Sequence, residues 1–340
     1  MKKLLALALV ALFALSVGVW FGTSVSAQDQ KVVALDLTPG RVKDLDSEWG
    51  QKNLQALKDL LTSAGYQVKE LTEITPQTLE GVDALVIGKM KDYDSGFSSA
   101  EVQAIANWFK EGGKFLWVGA DSDYVEPYLN PEDTSFKAGE PNKILEAIGS
   151  SLRLEYGSLE DPESNAGAGY RVISYEANTQ GWAAQITAGA PKVLFHGPTF
   201  VVGCKNGQFV PFSEVDNGET VTWLYRSSPS GTVVSHDGVD PKAHAVGETG
   251  QFVEAAAEKI KVGNKYSKVI VTGESLLGDR VIITPEYHGV ELQGATFAKN
   301  AFAWGLTEES AGPAIPMTYI AIAVVAIVII VGAALALKKK

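Results

Sequence analysis

The sequence contains one cysteine, Cys204, in 340 residues, with four histidines and three methionines. A single cysteine excludes an intramolecular disulfide, so an exported domain of this size must be held by its core. No N-x-S/T sequon occurs between residues 28 and 306, and the usual mark of a glycosylated surface is missing. Both absences fit a prokaryotic envelope, archaeal or bacterial. Positive charge is also scarce: 29 Lys+Arg against 40 Asp+Glu leave a formal charge of −11. Setting aside Lys2 and Lys3 takes this to −13, and setting aside Lys338, Lys339 and Lys340 takes it to −16. Such a surface disfavours nucleic acid, whose binding rests on basic contacts to phosphate. It suits solubility, and cations. No internal repeat is present.

The two ends are strongly patterned. Lys2 and Lys3 precede an apolar run from Leu4 to Val19, and Val25-Ser26-Ala27 forms a small-x-small cleavage site. Residues 1–27 therefore read as a signal peptide. Met317 to Leu337 carries no charge and Lys338 to Lys340 follow directly. That pattern predicts a transmembrane helix over 317–337, a cytoplasmic tail over 338–340 and a linker over 307–316. The expected arrangement is a single-pass, type I protein of the plasma membrane with its large domain, 28–306, extracytoplasmic.

Within that domain, apolar runs alternate with helical periodicity. Lys31–Leu37, Asp83–Gly88 and Lys114–Val118 read as buried strands. Gln51–Ala64 carries leucines at helical spacing and is closed by Gly65. Ser98-Ser-Ala-Glu101 is a capping box for a helix through Phe109, and Thr75–Leu79 reads as a short helix with proline at its first position. This alternation predicts an α/β fold, an open and mainly parallel sheet with helices on both faces. From about 150 to 250, glycine, proline, serine and asparagine punctuate short β-like runs. Gln251–Glu258 reads as a strand pairing with Lys268–Gly273, and Thr296–Leu306 as a final helix. Trp108, Trp117 and Trp304 are expected in the core, whereas Trp182 could be an exposed contact.

The phrases ITPQTLEGVDALVIG and SSAEVQAIANWFKEGGKFLWVG, with the later PNKILEAIG, VIVTGES and FAKNAFAW, resemble the non-catalytic class I glutamine-amidotransferase-like domains of the DUF4350, GldG or IFT52-like sort. The resemblance covers most of residues 31–306 and rests on buried strands, caps and Gly-Gly turns. It implies a flavodoxin-like, amidotransferase-like fold. It also implies an accessory component of a membrane transport system, or an anchored binding domain, rather than an enzyme.

Catalytic relatives of that fold need a cysteine on a tight strand-to-helix elbow, G-x-C-x-G, whose strained turn exposes the sulfur. Here the strand exit reads Gly119-Ala-Asp-Ser-Asp123, with Asp121 in the thiol's place. The corner is open to three readings: a catalytic carboxylate, a ligand or cation contact, or a polar loop. Gly203-Cys-Lys-Asn-Gly207 echoes an elbow, yet β-like runs flank it and Asn206-Gly207 is a hairpin signal. In open parallel sheets ligands bind outside the carboxyl ends of the strands. Those exits carry Asp36, Lys89, Asp121, Asp123, Glu274 and Ser275, a mostly acidic edge suited to a cation or a polyhydroxy or basic ligand. The plainer alternative is that every such sheet puts polar loops there. His236, Asp237 and His244, with Asp240 and Glu248 nearby, form a conceivable metal site, although their spacing matches no established ligand pattern. His196, at a strand end, reads as a packed histidine.

Three functions remain open. The first is an anchored extracytoplasmic binding domain without amidotransferase activity, with a membrane transporter or envelope protein as partner and no cofactor. The second is an envelope hydrolase or metal-dependent enzyme at the Asp121 edge or the His236–His244 loop. The third is a structural envelope protein.

Overall fold

The computed structural model describes residues 30–91, 96–124, 136–236 and 238–311. The first half runs β1 (Val32–Asp36), α1 (Glu48–Ser63), β2 (Gln67–Leu71), β3 (Ala84–Ile87), α2 (Ser99–Phe109), β4 (Phe115–Gly119) and α3 (Phe136–Ile148). Short strands follow: β5 (Leu152–Leu154), β6 (Ser158–Glu160), β7 (Arg171–Ile173) and β8 (Glu176–Ala177). After α4 (Ala183–Thr187) come β9 (Leu194–His196), β10 (Val201–Lys205), β11 (Gln208–Val210), β12 (Val221–Arg226), β13 (Gly231–Val234) and β14 (Thr249–Gly250). The chain closes with β15 (Val253–Val262), β16 (Lys265–Thr272), β17 (Glu286–Tyr287), β18 (Val290–Glu291) and α5 (Gly294–Leu306).

Five strands pair in parallel in the order β2-β1-β3-β4-β16. Their side chains alternate between two cores. Ala84 and Val86 of β3 join Leu57 and Leu61 of α1 and Phe297 and Phe302 of α5 on one face. Leu85 and Ile87 join Ile105 and Phe109 of α2 and Ile144 and Leu145 of α3 on the other. Burial on both faces is why these strands read as unbroken apolar runs. The capping box starts α2: Glu101 N–H donates to Ser98 Oγ and Ser98 N–H donates back to Glu101 Oε2.

The expectation of a mainly parallel sheet is corrected. β16 is parallel to β4, but β15 leads into β16 through the tight turn at Gly263-Asn264 and so must run antiparallel to it. β10 and β12 then pair antiparallel with β15, and β5, β11 and β8 extend the same sheet to 11 strands. The β-rich region is thus partly fused into one mixed sheet, with small sheets β14-β13-β6 and β7-β9 beside it. Residues 76–80 form turns, not the expected short helix. The hairpin reading of Cys204 holds: β10 and β11 pair across Asn206 and Gly207, both at positive φ (54° and 78°) as this turn requires.

The expected single-pass membrane placement is likewise withdrawn. Among the described residues no helix is long and apolar enough to cross a membrane. The segments read as signal peptide and transmembrane helix, 1–27 and 317–337, lie outside those residues, as does the tail at 338–340.

Candidate functional site

Because β1, β3, β4 and β16 are parallel, their carboxyl ends meet on one edge. Glycine lets the exits crowd together. A Cβ on Gly119 would stand 2.7 Å from Ser275 Cα, and one on Gly273 would stand 1.9 Å from the Thr199 carbonyl oxygen. The edge gathers Asp36, Lys89, Asp121, Asp123, Glu274 and Ser275, and all six are buried, none more than 6% exposed.

Burial changes their meaning, since a charge out of water must find a partner. Asp36 pairs with Arg41 at 3.0 Å and Asp121 with Lys43 at 3.1 Å. Lys89 Nζ lies 3.4 Å from both Glu274 and Asp279, and its backbone N–H donates to Ser275 Oγ. Asp123 accepts from Ser158 Oγ and from His236 N–H. The mostly acidic edge read from the sequence carries its own cations and forms an internally paired network in the folded chain. Its cations Arg41, Lys43 and Arg280 lie in the loops after β1 and β16, where basic residues close behind a strand exit were the available signal.

A cavity of about 410 Å³ opens above this network. Its floor is Lys43, Asp121 and Ser122, from the exits of β1 and β4. Its roof comes from the β-rich region: Ser158 and Glu160 of β6, His196 at the end of β9, Gly197 after it, and His236 after β13. Tyr124, Tyr170 and Arg280 complete the wall. The His196 ring packs edge-on against Tyr170 and Tyr287, at 5.6 and 5.4 Å between centroids. His236 meets Tyr124 edge-on at 5.5 Å.

Several groups here are displaced from ordinary titration. Burial, then the charges of Lys89 and Arg280, push His196 down to about 4, so its ring is neutral at pH 7. Burial pushes Glu274 up to about 8 against the opposing pull of Lys89. Burial and then the neighbouring Asp279 raise Asp44.

The metal reading gains no geometry. His236 lines the cavity, whereas His244 binds Glu248 through Nδ1 at 2.8 Å and packs on Phe200 and Phe252. Asp237 lies outside the described residues. Among the described residues no group of three His, Cys, Asp or Glu side chains could hold a metal ion. Trp108, Trp117 and Trp304 are core, and Trp182 is partly buried, stacked on Trp304 at 5.2 Å.

Asp123 acts as a tether between floor and roof. Asp123→Ala is expected to cost about 1.5–3 kcal/mol, as for hydrogen bonds to a charged group. It should also speed amide exchange at His236 more than at β3 or β4. Urea denaturation and hydrogen exchange check both.

No protein-family model matches the sequence, and no curated protein matches it. Solved structures do resemble it. The mmIFT52 N-terminal domain aligns with a TM-score of 0.50 at 12% identity, covering 81% of this chain and 97% of that one. A ThuA-like protein from Bacteroides uniformis aligns with a TM-score of 0.43 at 14% identity, covering 81% and 90%. At that identity the IFT52 likeness shows a related fold and nothing further.

Proposed function

We propose that this chain is a small-molecule binding domain without amidotransferase activity, with the cavity at the strand ends as its site. One observation carries the reading. The position after β4 where a catalytic thiol would stand holds Asp121, buried and ion-paired to Lys43, beside a cavity of about 410 Å³ lined by both polar and aromatic side chains. That volume is within the range of ligand sites, and its place at the carboxyl ends of parallel strands is where open α/β folds bind ligands. An aspartate engaged by a lysine is a poor nucleophile, and no cysteine lies near; Cys204 is on the β10–β11 hairpin.

A second reading, hydrolysis, has one observation in its favour: Ser122 and the neutral His196 ring line the same cavity. Ser122 Oγ accepts instead from Tyr124 N–H at 3.1 Å, and no hydrogen bond joins it to His196 among the described residues. Binding therefore stands first.

The test is a ligand-observed NMR screen of a metabolite library on the full chain, with His236→Trp as the filled-cavity control. His236 is exposed and its tether to Asp123 runs through the backbone N–H, so the variant should fold. Expected are hits whose affinity falls at least about tenfold in His236→Trp, and no release of ammonia from glutamine. Hits indifferent to His236→Trp, or glutamine hydrolysis above background, would sink the proposal.

A further inference from the structure

We infer that the cavity takes a small organic carboxylate with a flat apolar body, its anionic end held by Arg280. This rests on the cavity being a binding site and adds the charge class of the ligand. The composition of the chain pointed the other way, to cations, but the acids of the edge are already engaged. Asp121 faces Lys43, while Lys89 sits between Glu274 and Asp279.

Arg280 is different. Its side chain is 51% exposed on the cavity wall and pairs through one nitrogen with Asp279, at 2.7 Å. A guanidinium has five N–H donors in a fork that fits a carboxylate, so most of its donor capacity remains for a ligand. The residue is also held at φ +41°, a left-handed conformation that costs a non-glycine residue about 1–2 kcal/mol. Behind the wall, Arg171 lies 5.1 Å from the Tyr170 ring centre and has no carboxylate partner among the described residues. Its buried Nε makes no hydrogen bond there. At the His196 ring, the charges of Lys89 and Arg280 act more strongly than those of Asp121 and Asp279.

The apolar part follows from the tyrosines. Tyr124 and Tyr170 are 51% and 40% exposed, among the few large apolar side chains left open to solvent. Each is steadied edge-on by a cavity histidine, which leaves ring surface for a flat body to cover. Glu160 also lines the cavity and opposes negative charge near it, so the carboxylate must sit at the Arg280 end, and a dianion is disfavoured more than a monoanion.

The experiment compares one scaffold in three charge states on the full chain: phenylacetate, phenylacetamide and benzylamine, by NMR titration. Expected is phenylacetate about tenfold or more tighter than phenylacetamide, with benzylamine weakest. Arg280→Gln, an exposed substitution whose melting temperature confirms folding, should erase the preference for the acid. Benzylamine binding best, or Arg280→Gln leaving phenylacetate unchanged, would overturn the inference. If acid and amide bind alike and both are lost in His236→Trp, the site stands and the carboxylate assignment falls. If none of the three binds while the metabolite screen gives cavity hits of other charge, the carboxylate assignment falls alone. If neither experiment finds a ligand, both readings fall.

Discussion

Arg41→Met should lower the stability of the folded protein by about 3–5 kcal/mol, the cost of stranding a buried charge by removing its partner. Arg41 is the only cation bound to Asp36 among the described ion pairs; that carboxylate ends β1 and is fully buried. The same guanidinium reaches Glu101 at 2.5 Å, in the first turn of α2, and lies 4.3 Å from the centre of the Phe97 ring. One side chain therefore joins the exit of β1 to the start of α2. For a body of this size the loss corresponds to a fall of roughly 6–20 °C in melting temperature. Lys58→Met is the comparison. Its pair with Glu70 is on the surface and should matter by less than about 1 kcal/mol. The Arg41→Met deficit should narrow in acid. Burial works to raise the Glu101 pKa, but hydrogen bonds from Arg41 and Ser98 hold it below its ordinary value. The stability from that group is present above pH 4.5 and is lost as pH falls through the lowered value. Urea melts across pH 3–7 measure this. Equal melting of wild type and Arg41→Met at pH 7 would refute the account.

Glu254→Met should do the opposite and stabilise. Glu254 sits on β15 with no exposure, and neither carboxyl oxygen has a hydrogen-bond partner among the described residues. Burial, and then the charge of Asp161, raise its pKa well above 4.5. An unsatisfied buried polar group costs about 1–3 kcal/mol, which an apolar side chain of similar length removes. A pH-dependent part adds to this. Below pH 4.5 folded and unfolded chains are both protonated at this residue and proton linkage contributes nothing. Above it the unfolded chain ionises while the folded chain keeps its proton. Wild-type stability therefore declines by up to about 1.4 kcal/mol per pH unit from this group, until the raised pKa is reached. The advantage of Glu254→Met should accordingly be smallest near pH 4 and grow towards pH 8. Some slope persists in the variant, because Glu274, at about 8, titrates in the same sense. A variant no more stable than wild type at pH 8, or an advantage independent of pH, would show that Glu254 has a partner in solution.

The parallel half of the fold was legible because its strands are buried on both faces. Leu85 and Ile87 pack against α2 and α3 while Ala84 and Val86 face α1 and α5, so the run is apolar throughout. Caps and turns were legible for a similar local reason, as at Ser98–Glu101 and Asn206-Gly207. The mixed sheet was not. Strands of two or three residues such as β5, β6 and β8 are too short to show a period, and β10 meets β15 at a single pair, Val201 with Val253. The cavity roof was equally hidden. Nothing near Asp121 in the chain announces Lys43, 78 residues away, or His196.

Local pattern thus settled which segments become strands and helices, and it named the strand exits, because backbone propensity and burial of neighbouring residues are written within a few positions. Whether those exits form an open acidic surface or a neutralised floor was decided only when distant loops came together. An ion pair depends on the distance between its ends, and that distance does not exist until the chain has folded. Asp121 shows the difference: its place after β4 is visible in the sequence, but its partner Lys43 is brought within 3.1 Å by the tertiary structure alone.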